Sequence, residues 1–105
     1  MEKHISKKDD ILEAIRENRI KIEALGVKKL GLFGSFVRQE QQPESDIDFL
    51  VEFDKEKKTF DNFINLSFLL EAILTYRVEL VTTESLSPYL SPHILKEVEY
   101  VTFSP

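Results

Sequence analysis

The chain's patterning predicts an α/β fold, a small sheet with helices packed on one face, and three observations carry that expectation. Segments with helical spacing, Asp9 to Leu25 and Phe60 to Leu74, alternate with short runs of strand character at Lys28 to Phe33, Asp46 to Phe53 and Arg77 to Thr82. The middle run alternates strictly, with Ile47, Phe49, Val51 and Phe53 on one side and Asp46, Asp48, Leu50 and Glu52 on the other. The composition, 42% hydrophobic and 31% charged with eight Phe in 105 residues, is that of a globular chain. At this length roughly 65% of the unfolded surface can be buried, which predicts a single domain over residues 1–105.

Each element has a local reason. In the first helix Ile11, Leu12, Ile15, Ile22 and Leu25 recur at helical spacing, Ser6 and Asp9 make a weak N-terminal capping pattern, and Gly26 stops the helix. The strand Lys28 to Phe33 runs into Gly34-Ser35, followed by a brief helical turn through Phe36-Val37-Arg38. The polar stretch Gln39 to Glu44, with Pro43, reads as a loop. Asp54 to Lys58 is a charged, solvated turn. The second long helix has Phe63, Leu66, Leu70, Ile73 and Leu74 as its inner stripe. In the third strand Val78 and Leu80 oppose Glu79 and Val81. Ser87-Pro88 and Ser91-Pro92 bracket a short connection, and Pro92 opens a last helix through about Tyr100.

Composition also excludes. There is no cysteine, so disulfides and zinc–thiolate sites are ruled out, in keeping with a reducing cytoplasm. The first residues lack the apolar run of a signal peptide and no stretch approaches membrane-spanning length, so a cytoplasmic protein is expected. The net charge of -5 is a poor match for nucleic acid, whose binders pair cations with phosphates, although Lys28, Lys29 and Arg38 allow a small basic patch. A small substrate or a protein partner fits better.

The chemistry-bearing residues lie close together in sequence. Asp46 and Asp48 project from one side of a strand, roughly 6–7 Å apart at ~3.3 Å rise per residue. Unpaired, they repel and raise at least one pKa, and a divalent cation removes that cost. Mg²⁺ typically takes one or two carboxylates together with substrate phosphate oxygens. Glu79 on a neighbouring strand would make a third carboxylate on the open face. Gly34 permits positive φ and close approach of a phosphate, Ser35 adds a hydroxyl, and Arg38 can reach an anion. Taken singly, a Gly-Ser is a turn, an Asp-x-Asp is a solvent-facing strand, and Arg38 is a surface ion pair. Their combination is what points to phosphate chemistry.

Gly34-Ser35, ten residues, then Asp46-x-Asp48 matches the G-S-x10-D-x-D signature of the nucleotidyltransferase superfamily related to DNA polymerase beta. The phrases Gly34-Ser35-Phe36-Val37-Arg38, Ser45-Asp46-Ile47-Asp48-Phe49-Leu50-Val51 and Arg77-Val78-Glu79-Leu80-Val81-Thr82 resemble its minimal (MNT) branch, and the resemblance runs from about Leu30 to Tyr100. It implies a small mixed β-sheet backed by helices, with Gly34 and Ser35 on nucleotide phosphates, Asp46 and Asp48 on Mg²⁺, and Glu79 as the third catalytic carboxylate. It further implies a Mg²⁺-dependent transfer of AMP from ATP to a tyrosine of a HEPN-domain toxin, the chain serving as antitoxin. Two positions depart from the family pattern. Glu79 stands where Asp is common, on a longer arm, and Gln39 replaces a Gly that often follows the Arg, which predicts a less tightly turned short helix.

Two other functions are compatible with these residues. One is a binding module that neutralises its partner by contact with a degenerate site. The other is a small-molecule nucleotidyltransferase, for which little chain is left to build an acceptor pocket. His4 and His93 read as exposed rather than as ligands, and Tyr76, Tyr89 and Tyr100 as partly buried aromatics.

Overall fold

In the computed structural model, which describes Ile5 and residues 7–103, the chain forms α1 (Lys8–Glu17), α2 (Arg19–Glu23), β1 (Val27–Phe33), α3 (Ser35–Arg38), β2 (Ile47–Phe53), α4 (Phe60–Leu74), β3 (Val78–Thr82), α5 (Ser91–Glu97) and β4 (Glu99–Thr102). The sheet order is β3-β2-β1-β4. β1 pairs antiparallel with β2 and β4, while β2 pairs parallel with β3 across α4, so the sheet is mixed. Ser6 and His4 lie outside the described residues; α1 begins at a backbone cap on Lys7, whose amide donates to the Asp10 carboxylate.

The register sorts the two faces. Leu30 opposes Val51 and Leu32 opposes Phe49, while Ile47 and Phe49 lie beside Val78 and Leu80. This face carries the core: Leu30, Leu32, Ile47, Phe49 and Val51 are essentially inaccessible and pack with Ile11 and Ile15 of α1 and Leu66, Leu70 and Leu74 of α4. Burying each such side chain is worth about 1.5–3 kcal/mol, enough to fix the strand register, because a one-residue slip would expose the whole set. Phe63 and Ile73, the rest of the expected stripe, pack at the margin. On the opposite face Asp48 lies beside Glu79 and Leu50 beside Val81.

Two elements differ from expectation. The first helix breaks at Asn18, whose side-chain amide donates to the Ala14 carbonyl at 2.8 Å; a short polar side chain that competes for the helix backbone interrupts it, and α2 restarts after it. The last helix stops at Glu97 rather than near Tyr100. Val98 is extended, and Glu99–Thr102 forms an edge strand on β1, with Val101 buried opposite Leu30. Ile94, Val98 and Val101 imitate a helical stripe, but Val98, Tyr100 and Val101 are strand-forming types and β1 offers them a free edge. Gly26, at φ 85°, ends the first helical region as expected. No helix among the described residues is long and apolar enough to cross a membrane.

Candidate active site

Two core contacts position the β1–α3 turn. Phe36, 1% exposed, packs edge-on against Tyr76 at 5.6 Å, which ties α3 to the segment following α4. Gly34 caps α3 at φ 83°, ψ -153°, a conformation that glycine tolerates and other residues do not. A Cβ here would fall on the Asp48 carboxylate, 3.0 Å from its Cγ. The turn and the carboxylate are therefore in direct contact, which follows from Phe33 opposing Asp48 in the β1–β2 register.

α3 ends on Gln39, at φ 59° and ψ 38°. The left-handed stop that a glycine would readily supply is taken here by glutamine. The Glu40 amide closes it onto the Ser35 carbonyl at 2.9 Å.

Phe33, Gly34, Arg38, Asp48, Glu79 and Glu97 line one cleft of about 490 Å³, with α5 and the preceding connection as its far wall. Its size suits a nucleotide-scale ligand. A neighbouring hollow of about 410 Å³, between Phe53, Phe60, Phe63 and Leu80, is apolar and carries no carboxylate.

Of the residues that the sequence singled out, Gly34, Arg38, Asp48 and Glu79 meet in this cleft, while Ser35 opens α3 behind it. Asp46 lies just before β2 and is turned aside: its Oδ1 is 3.1 Å from Arg77 Nε, in an exposed ion pair. Among the described residues no three His, Asp or Glu side chains converge as a ready-made metal site.

The Asp48 carboxyl is pushed up to about 7. Burial against the Gly34 turn is the main cause, followed by a hydrogen bond to Glu79 and the negative charges of Glu79 and Asp46; Arg38 opposes the shift. Oxygen donors crowded until one stays protonated near neutral pH are a set that a hard divalent cation relieves, so the residues fit Mg²⁺. The exposed Asp46–Arg77 pair is worth less than about 1 kcal/mol and yields readily.

Sequence reasoning missed two groups. Arg77 reads as a strand start but holds Asp46, and Glu97 of α5 binds the Gly34 amide and Arg38. The Arg77 pairing had no signal in the sequence, because it follows from the parallel register that sets Ile47 beside Val78. The Glu97 contact, across 63 residues, had none. His93 is exposed as expected and lines the cleft. Tyr89 and Tyr100 are exposed rather than partly buried, at 87% and 39%, because one sits in the connection before α5 and the other faces out from the edge strand β4.

The family model of the nucleotidyltransferase domain matches residues 8–101. The chain belongs to the nucleotidyltransferase domain family. A relative in Thermococcus cleftensis, named protein adenylyltransferase MntA, is 44% identical over 79 residues, covering 75% of this chain and 79% of its own. A solved structure described as a candidate minimal nucleotidyltransferase superposes with a TM-score of 0.68 at 32% identity, over 84% of this chain and 93% of that one. A chain from the complex of tri-AMPylated Shewanella oneidensis HEPN toxin with MNT antitoxin shares the fold, with a TM-score of 0.59 at 21% identity over 85% of this chain and 70% of that one. The mixed sheet and the activity class, nucleotidyl transfer, are those expected of a nucleotidyltransferase domain.

Proposed function

We propose that this nucleotidyltransferase moves AMP from ATP to a tyrosine hydroxyl of a HEPN-type toxin in the cytoplasm and acts as that toxin's antitoxin. The observation that best supports the reading is the cleft, in which Gly34, Arg38, Asp48 and Glu79, from separate elements, line one hollow of nucleotide size. The name of the Thermococcus relative supports a protein as acceptor, and the Shewanella complex, which shares the fold, suggests a HEPN partner.

In this reading the Gly34 amide and Arg38 hold the polyphosphate, and the Gly-Ser turn lets it approach the backbone. Asp46, Asp48 and Glu79 would hold Mg²⁺, which when bound supplies positive charge against the phosphates and the departing pyrophosphate. The acceptor oxygen attacks the α-phosphorus in line, and the bond from that phosphorus to the bridging oxygen breaks, releasing pyrophosphate. Glu79, more exposed than Asp48 and on a longer arm, takes the acceptor's proton.

The test is AMP transfer from labelled ATP to a HEPN partner by the purified chain. Asp48→Asn abolishes transfer with the circular dichroism spectrum unchanged; undiminished transfer sinks the assignment. The turning of Asp46 onto Arg77 favours a second reading, neutralisation by contact alone. Full neutralisation of the toxin by an Asp46→Asn, Asp48→Asn double variant would establish it.

A further inference from the structure

The groups that would take a polyphosphate are already held by a carboxylate of the chain. Glu97, the last residue of α5, accepts a hydrogen bond from the Gly34 amide at 2.7 Å through Oε2. Both of its carboxylate oxygens also accept from Arg38 Nη1, each at 3.1 Å. An amide of a positive-φ turn and a guanidinium are what a phosphate oxygen requires, and Glu97 satisfies both. Its side chain is 22% exposed and that of Arg38 48%, so the amide contact is partly sheltered while the ion pair is open to water and salt.

The plainer explanation is a brace that pins α5 to the β1–α3 turn. The C-terminal end of α5, where Glu97 sits, is also held by other contacts. The chain leaves it directly into β4, which is laddered to β1 from Leu32↔Glu99 to Lys29↔Thr102, and Glu99 is tied to Lys8 of α1 at 2.8 Å. Glu97 is also a third carboxylate in a cleft that already contains Asp48 and Glu79. A brace could be built from a neutral side chain; an occupant of an anion subsite could not.

We propose that Glu97 is a displaceable internal anion seated in the phosphate subsite of the cleft, so that a nucleotide binds only by exchanging with it. The nucleotide in this statement rests on the proposed function; the anion exchange rests on the Gly34–Arg38–Glu97 geometry. Wild-type affinity for phosphates is therefore held down by an intramolecular competitor, and whatever draws α5 outward raises it.

The experiment is isothermal titration of the full chain with two probes, inorganic tripolyphosphate without metal and ATP with Mg²⁺. Glu97→Gln keeps the size of the side chain and an oxygen for the Gly34 amide while removing the charge. It is expected to bind tripolyphosphate about tenfold more tightly than wild type, the scale of one charge-assisted hydrogen bond, and to lose the gain when Arg38→Gln is added. Equal or weaker binding overturns the proposal and makes Glu97 a brace. Glu97→Asp, which retracts the charge, is expected to gain less; if the amide variant does not fold, its gain or lack of gain decides in the same sense. A tripolyphosphate gain without ATP binding in either protein upholds the exchange and refutes the nucleotide reading instead, so the two failures are distinguishable.

Discussion

Asp48→Asn is expected to make the metal-free protein more stable at pH 8 while removing its response to Mg²⁺. The Asp48 carboxyl stands at about 7 in the fold against an ordinary 3.8. A carboxyl whose folded pKa is raised contributes stability below its ordinary value and loses it as pH climbs toward the folded one. For wild type the loss therefore runs from about pH 4 to somewhat above pH 7. In a fully dry site the difference would amount to about 4 kcal/mol; the residue is only half-buried, so screening brings it to about 1–2 kcal/mol. Asparagine is close to isosteric, can still donate to Glu79, and never charges. For a domain of this size the gain at pH 8 corresponds to roughly 5–15 °C in Tm, shrinking to about a third of that at pH 5 and toward zero only below about pH 4, where Asp48 carries its proton in the unfolded chain as well. Thermal unfolding followed by circular dichroism at both pH values, with and without millimolar Mg²⁺, reads all four cases. Wild type should rise with Mg²⁺ at pH 8 and the variant should not. A variant less stable than wild type at pH 8 in chelator would refute the reasoning, because it would mean that the charged carboxylate is already compensated within the fold.

Three further substitutions test the local geometry. Gly34→Ala places a methyl on the Asp48 carboxylate at a strained φ, so a loss of about 2 kcal/mol or more in urea unfolding is expected together with loss of nucleotide binding; a variant as stable as wild type would mean that the turn is not held as described. Thr75 ends α4 at φ 48°, unfavourable for a β-branched residue, and Thr75→Gly should stabilise by about 1 kcal/mol in the same assay, less the hydroxyl contact to the Leu74 carbonyl; a destabilised variant would show that the hydroxyl outweighs the strain. Leu70→Ala empties a fully buried position between α4 and the sheet and should cost about 2–5 kcal/mol, with the urea midpoint as readout; a change under about 1 kcal/mol would contradict its place in the core.

The fold was legible where one periodicity had no competitor. α4 occupies the residues its apolar stripe marks, and β2 lies within one residue of its alternation, because each buries one face against a partner of fixed geometry. Legibility failed where two signals overlapped. Asn18 is helix-compatible in type, yet its amide captures the Ala14 carbonyl, and Ile94, Val98 and Val101 satisfy a helical stripe while their types favour a strand. The cleft residues Gly34, Arg38, Asp48 and Glu79 were visible because turn chemistry and strand alternation are local properties. Asp46's partner and Glu97's seat were not, since each depends on which segment the sheet brings alongside.

Those two contacts share a physical logic. An open face carrying Asp46, Asp48 and Glu79 would be self-repelling without ligands, and the fold answers each charge separately. Asp46 is paired with Arg77, Asp48 holds a proton near neutral pH beside Glu79, and Arg38, the guanidinium of the cleft, is shared between Glu40 and Glu97. Each answer is weak or reversible: an exposed ion pair, a titration near the working pH, and an intramolecular contact that an external anion can copy. The ligand-free protein is thereby spared much of the instability of an unmatched acidic site. The same compensation leaves the carboxylates undeployed until a cation and a phosphate chain arrive together, since the cation favours release of the Asp48 proton and of Asp46, and the phosphates compete with Glu97. Assembly of the site is then coupled to occupancy by both, which links binding of one to binding of the other through charges the chain has already placed in contact.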